Sequence, residues 1–466
     1  MKNVKIAFTG TFDIDNFGDH LFPVIFKKMM EKKNISIDMD LFSPFEAIEG
    51  FQQNNKIYKL ELLDSMNQKK KYDAIVVGGG EIIHLNTFKH LNHEKKSVDY
   101  PIYETWIAPS LASKNTETKI IWNNPGCPFE FKKYEEEIIK YILSYVDYIS
   151  VRNDFSYRIL NKFNKPVMKS YDTAFALPII YPLEELSRKI KNKYIVYHCH
   201  RYMNNGFYQE SFKTLKSLSK EYEIVLLPLA NTNDDIKLLK QMYEDSNHKF
   251  KLINEDLSIK EIIEILAHCE MYIGVSFHGA ITAYVYGKKI IGYDYFRNKK
   301  TRDLFQDLSL ESNYIDKIGI LDEVVKTVLS NDCNTTSYIK IIDNINLHFD
   351  NIIQCILNKE NKNKKVGNEV EFFEKMIKEI SFYFENIKQK SYDENESLKS
   401  DLYEKIGEAQ YNLLNWQKCS NELITLDEKY RSLEKKYEGL LEDYDRINNE
   451  LNSTLKNKIK KYLKKR

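Results

Sequence analysis

From Val4 to about Phe305, short apolar runs alternate with longer amphipathic stretches. That alternation restricts the chain to βαβ units, and so to parallel sheets covered by helices on both faces. The first series of expected strands is Val4–Phe8, Ser36–Leu41, Ala74–Val77, Lys119–Trp122, Tyr148–Val151 and a short one near Val167. Pro178 and Pro182 punctuate a crossing. A second series follows at Tyr194–Tyr197, Glu223–Leu227, Phe250–Ile253, Met271–Ile273 and Lys289–Ile291. We expect an α/β chain with two Rossmann-like doubly wound domains, residues 1–185 and 186–357, facing a cleft. Ligands of such sheets sit beyond the carboxyl ends of the strands, so residues directly after each strand are the candidates.

The remainder reads as helical. Ser337–Leu357 is apolar on the Ile341/Ile345/Phe349/Ile352/Ile356 face and closes the second domain. Residues 358–400 combine a polar linker, Asn358–Glu369, with a compact helix, Glu371–Ile387. Residues 401–454 carry the signature of an α-helical coiled coil. Leu426, Tyr430, Leu433, Tyr437, Leu440, Tyr444, Ile447 and Leu451 recur at alternating spacings of four and three, a heptad seam with charged flanks. An earlier seam, Ile406, Ala409, Leu413, Trp416, Ser420 and Leu423, joins it through two successive spacings of three, which locally overwinds a supercoil. The seam implies a homo-oligomer, in the first instance a parallel dimer. Residues 455–466 form a basic amphipathic tail with Ile459, Tyr462 and Leu463 on one face. Such a tail suits an anionic bilayer surface or an acidic partner; a frayed solvated end is the alternative.

Bulk properties exclude several classes. A length of 466 residues suits two domains plus an appendage. A net charge of +1 provides no whole-protein field for nucleic acid, and no nucleic-acid partner is expected. Six cysteines without a C-x-x-C pair read as reduced thiols of a cytoplasmic protein. The first apolar run is too short for a signal peptide, and no stretch approaches the roughly 18 apolar residues of a membrane span.

Four segments after strands carry the candidate chemistry. In Gly10–His20, Asn16 and Asp19 stand at a helix start, where they either cap the helix or hydrogen-bond a polyol. Gly78, Gly79 and Gly80, followed by Glu81, either expose backbone N–H groups to an anion or sugar, or simply make a tight turn. In His198-Cys-His-Arg201, the two histidines share a strand face without the further ligands a metal needs; no metal site is expected. Arg201 has the planar fork that matches a carboxylate or phosphate. In Gly274-Val-Ser-Phe-His-Gly-Ala280, Ser276 caps a helix and His278 lies in its first turn. An N-terminus there favours anions and makes His278 a candidate general acid/base; a structural histidine is the alternative.

Taken in order, these segments resemble the polysaccharide pyruvyltransferase family. The resemblance spans about residues 4–305. It rests on Asn16, Gly18 and Asp19; Gly78–Gly80; Val151-Arg-Asn-Asp-Phe-Ser156; Asp172-Thr-Ala-Phe175; Arg201; and the S-F-H-G block followed by Gly287-Lys-Lys. It implies a GT-B-like pairing of the two domains. It also implies transfer of the enolpyruvyl unit of phosphoenolpyruvate, a co-substrate with no further cofactor, onto two hydroxyls of a sugar. On that reading His278 supplies a proton to the methylene carbon, while Arg201, Ser276, Gly279 and Ala280 form the donor side. Asn16, Asp19, Gly78, Gly79, Gly80 and Glu81 face the acceptor, a glycan or lipid-linked sugar, and the protein is expected in the cytoplasm, with its basic tail suited to peripheral contact at the inner face of the plasma membrane. The family pattern commonly has arginine two positions before the histidine, where this chain has Ser276. Lys288, Lys289, Arg297 and Arg302 lie near enough in sequence to supply a cation instead. Two other readings share the architecture: a glycosyltransferase using a nucleotide-sugar, and an inactive scaffold for glycan assembly.

Overall fold

The computed structural model describes residues 2–86, 88–91, 97–112, 116–200, 202–230, 235–331, 338–358 and 416–463, with a few isolated positions between 389 and 398. Contacts divide the chain into two compact units. One comprises Met1–Glu130 with Ile142–Lys364, the other Phe131–Tyr141 with Lys365–Arg466.

The first unit contains two doubly wound sheets. The strands of the first are β1 (Lys2–Thr9), β2 (Ile35–Ser43), β3 (Ala47–Ile48), β4 (Lys56–Lys59), β5 (Ala74–Val77), β8 (Lys119–Trp122), β9 (Tyr148–Val151) and β10 (Met168–Lys169). A separate antiparallel hairpin, β6 (Phe88–Leu91) and β7 (Ser97–Tyr100), falls between β5 and β8. The sheet order is β10-β9-β8-β5-β1-β2-β4-β3, parallel throughout except for the β3–β4 edge. The second sheet contains β11 (Tyr194–His198), β12 (Glu223–Leu226), β13 (Lys251–Leu252), β14 (Met271–Gly274), β15 (Lys289–Tyr293) and β16 (Tyr314–Ile315), in the order β13-β12-β11-β14-β15-β16. Each order runs outward from its first strand and then reverses, which is the Rossmann arrangement. The paired sheets are the GT-B-like fold class expected from the sequence.

Parallel strands covered on both faces are apolar along their whole length. All four residues of β5 are buried, as are all five of β11. One apolar cluster runs from Val4, Ile6 and Phe8 through Phe175 to Tyr194, Val196 and Ile281, so the two sheets share core. The helix Tyr338–Leu357 packs its expected apolar face, Ile341, Ile345, Phe349 and Ile352, into this core. It returns to the first sheet. His348 accepts from Tyr148 Oη at 2.9 Å and donates to Asn123 Oδ1 at 2.8 Å. Burial pushes His348 down to about 3, so its ring is neutral.

In the second unit, Trp416–Leu463 is one continuous helix. Its seam residues from Leu426 to Leu451 are partly exposed. The expected linker from residue 359, the helix Glu371–Ile387 and the earlier seam up to Leu413 lie outside the described residues. Among the described residues no helix is long and apolar enough to cross a membrane.

Candidate active site

The first sheet reverses order between β1 and β5, the second between β11 and β14. The four segments singled out in the sequence follow these four strands. Sequence order alone therefore carries them to the two switch points. The sheets meet there through backbone: Phe17 N–H donates to Leu229 O at 2.9 Å, beside an antiparallel bridge between Asn16 and Ala230.

His278 lies in the first turn of the helix Phe277–Val285, which Ser276 caps by accepting from Gly279 N–H at 3.2 Å. Its ring crosses to the helix Phe17–Lys32. A Cβ at Gly18 would stand 2.0 Å from His278 Nδ1, so only glycine admits the ring. Phe22 meets the ring edge-on at 5.3 Å between centroids. The other nitrogen, Nε2, faces Asp172 Oδ2 at 3.5 Å, which is ion-pair distance. The same oxygen accepts from Arg152 Nη1 at 2.7 Å, while Asp172 Oδ1 accepts from Ala174 N–H at 2.9 Å. Arg152 follows β9 directly, and its guanidinium stands 5.1 Å from the Phe277 ring centroid. Arg152 Nε and His278 Nε2 are both buried and make no hydrogen bond among the described residues.

Burial alone would raise Asp172. His278 and Arg152 on one oxygen outweigh it and hold this carboxyl well below the usual carboxylate range. An ionised carboxylate beside an imidazole fixes the orientation of the ring, as in other acid–base dyads. Glu81 pairs with Lys300 Nζ at 3.1 Å; Lys300 belongs to the helix Lys299–Asp307. Burial of Glu81 is outweighed by Lys300 and Arg152, and its carboxyl is lowered. Asp19 is the counter-case. Burial raises it, against the pull of His278, His20, Lys300 and Arg152. Its Oδ1 lies beside Gly80, 3.7 Å from where a Cβ would be.

The sequence-derived residues divide by what their atoms are doing. His278, Asp19 and Glu81 converge around this cluster. Asn16 spends its side-chain oxygen on Gly18 N–H at 2.9 Å, the helix cap. Gly78 donates to Thr9 O at 2.7 Å, and Gly79 is bare because Phe22 occupies the space a Cβ would need. Gly80 has φ of +93°, which glycine adopts without strain. The N–H of Gly279 is taken by Ser276 Oγ and that of Ala280 by Ser276 O at 3.0 Å. Arg201 lies outside the described residues.

Among the described residues, the cations that reach the cluster are Arg152 and Lys300. Among the cations considered from sequence, Lys289 donates to Leu329 O at 2.6 Å and Arg302 pairs with Asp316 at 3.4 Å. Arg152 and Asp172 had a usable signal, since each falls directly or nearly so after a strand. Lys300 had none among its neighbours Lys299 and Arg302. His198 Nδ1–H donates to Leu227 O at 3.0 Å, and burial pushes this histidine down to about 4; among the described residues no cluster of three metal-ligating side chains occurs.

The sequence model of the family described as polysaccharide pyruvyl transferase matches residues 16–297. No curated protein matches by sequence. Solved structures similar to this chain include UDP-GlcNAc 2-epimerase from Methanocaldococcus jannaschii, at 14% identity and TM-score 0.47, covering 74% of this chain and 99% of that one. UDP-N-acetylglucosamine 2-epimerase from Rickettsia bellii is similar at 12% identity and TM-score 0.49, covering 78% and 99%. The Neisseria meningitidis UDP-GlcNAc 2-epimerase bound to UDP-GlcNAc is similar at 11% identity and TM-score 0.47, covering 77% and 100%.

Proposed function

The chain belongs to the polysaccharide pyruvyl transferase family, and from that premise we propose that it transfers the pyruvyl unit of phosphoenolpyruvate onto a sugar of a surface polysaccharide, forming a cyclic ketal and releasing phosphate. The observation that carries this reading is the His278–Asp172–Arg152 cluster set against Gly18.

Phosphoenolpyruvate is an enol ether, and its methylene carbon must gain a proton before a hydroxyl can attack the neighbouring carbon. His278, oriented by ionised Asp172, delivers that proton and makes the methyl group. The first sugar hydroxyl adds to the resulting cation and gives up its proton to Asp19, whose raised carboxyl makes it the better base of the two nearby acids when ionised. Phosphate then leaves with its bonding pair and takes the proton held by Asp19, departing as hydrogen phosphate; the second hydroxyl closes the ketal, and its proton returns to the histidine. The sum is one phosphoenolpyruvate and one diol giving one ketal and one hydrogen phosphate. Arg152 and Lys300 supply positive potential for the carboxylate and phosphate. Glu81, held ionised by Lys300, accepts from an acceptor hydroxyl.

The test is acceptor-dependent phosphate release from phosphoenolpyruvate. It should fall about 10²–10⁴-fold in His278→Gln with the fold intact, as expected for a lost general acid. Release of a nucleotide from a nucleotide-sugar, with phosphoenolpyruvate inert, would assign the cleft to glycosyl transfer instead.

A further inference from the structure

We propose that the helix Trp416–Leu463 pairs with the same helix of a second copy of this chain, and that the two run antiparallel. The alternating spacings place Leu426, Leu433, Leu440 and Ile447 at heptad position d, and Tyr430, Tyr437, Tyr444 and Leu451 at position a. A parallel pair stacks like on like. Three layers then bring tyrosine against tyrosine at position a, where β-branched aliphatics favour two strands. An antiparallel pair sets a against d. With Tyr437 opposite Leu440 of the second copy, Tyr430 meets Ile447, Tyr444 meets Leu433 and Leu451 meets Leu426. Every aromatic layer acquires an aliphatic partner, and the whole seam is used.

The flanking charges select the same register independently. The g positions hold Lys429, Lys436, Asp443 and Glu450, two cations followed by two anions. In the antiparallel register just given, g faces g: Lys429 meets Glu450 and Lys436 meets Asp443. The two-fold axis repeats both, for four attractive pairs and no repulsive one. Parallel pairing sets g against e of the next heptad. Lys429 then meets Glu434, which within its own helix already accepts from Tyr430 Oη at 3.3 Å. Lys436 would meet Leu441 and Asp443 would meet Asn448, both neutral. Lys429, Lys436 and Glu450 are exposed and Asp443 is partly so. Arg446, one turn on, pairs with Asp443 inside the helix and competes for it with Lys436 of the second copy.

One consequence concerns the basic ends. The axis of the pair falls between Glu438 and Gly439, so the residues numbered 455 of the two copies are separated by about 50 Å along the coil, at 1.5 Å per residue. The basic tails of an antiparallel pair therefore lie at opposite ends rather than together.

Sedimentation of full-length protein at low salt tests the orientation through charge reversal. Wild type should be a dimer. Asp443→Lys/Glu450→Lys should dissociate, its dimer weakened about 10- to 100-fold as four attractive pairs become repulsive. Lys429→Glu/Lys436→Glu should dissociate likewise. An equimolar mixture of the two variants should recover a one-to-one dimer, because every facing pair is again opposite in charge. Monomeric wild type, a dimeric Asp443→Lys/Glu450→Lys protein, or a mixture that stays monomeric would each overturn the proposal.

Discussion

Gly18→Ala probes the seat of His278 with one methyl group. The new Cβ would lie 2.0 Å from Nδ1, 2.7 Å from Cε1 and 2.8 Å from Cγ of the imidazole. Comfortable contact needs roughly 3.5 Å, so the ring must retreat by about 1.5 Å. Phe22 already packs edge-on against the ring, so its retreat must change the 3.5 Å approach of Nε2 to Asp172. A displacement of about 1 Å at a catalytic group costs about 10²-fold in rate, and we expect a loss of at least that size in kcat for phosphate release. Stability should change far less. Alanine in the first helical turn recovers about 0.5–1 kcal/mol of backbone entropy, against about 1–3 kcal/mol for overpacking. A denaturant titration should therefore show a loss of about 0–2 kcal/mol. The double variant separates this account from general damage. Once His278→Ala has removed the ring there is nothing to displace, and adding Gly18→Ala should lower the rate no further. A wild-type kcat in Gly18→Ala, or full additivity in the double variant, would refute the reasoning.

Asp172→Asn keeps the shape but removes the charge that orients His278; kcat should drop about 10²–10⁴-fold, comparable to loss of the carboxylate in other histidine dyads. The same variant leaves Arg152 buried without its counter-charge, and chemical denaturation should show a loss of about 3–5 kcal/mol. Lys300→Ala should raise the KM for phosphoenolpyruvate with a smaller effect on kcat, and the acidic limb of the pH–rate profile should move upward as Glu81 loses the ammonium that holds it low. For His348, the unfolded chain takes up a proton below about pH 6.5 while the folded ring, at about 3, does not. Stability should therefore fall with acidification through that window, by up to about 1.4 kcal/mol per pH unit, and His348→Gln should flatten the slope in urea titrations at several pH values.

Strands buried on both faces were legible because apolar residues dominate their short runs: Ala74–Val77, Lys119–Trp122 and Tyr148–Val151 match residue for residue. Lys56-Ile57-Tyr58-Lys59, next to the edge strand, was not, since its lysine ends read as a loop, and Tyr314–Ile315 is too short to show a period. For the site, the rule that ligands gather after strands led to His278, Asp19 and Glu81. Applied two strands further along the sheet, it reaches Arg152 after β9. Which backbone donors are already engaged could not be read from spacing. Gly78, Gly279 and Ala280 all sit where an anion cradle would be, yet their N–H groups are bound to Thr9 and Ser276. Lys300 reaches Glu81 only through the placement of its helix, which pairwise spacing does not encode.

The central claim is that a proton passes from His278 to carbon while the pyruvyl unit moves to a diol. Reaction in deuterium oxide with phosphoenolpyruvate labelled with ¹³C at the enol carbon, followed by NMR of the acceptor, tests it most directly. The account predicts a quaternary ketal carbon on the sugar, one equivalent of phosphate, and a methyl group carrying a single deuterium, all lost in His278→Gln. An acceptor that gains a glycosyl unit, or phosphate released with no ketal carbon on the sugar, would contradict it.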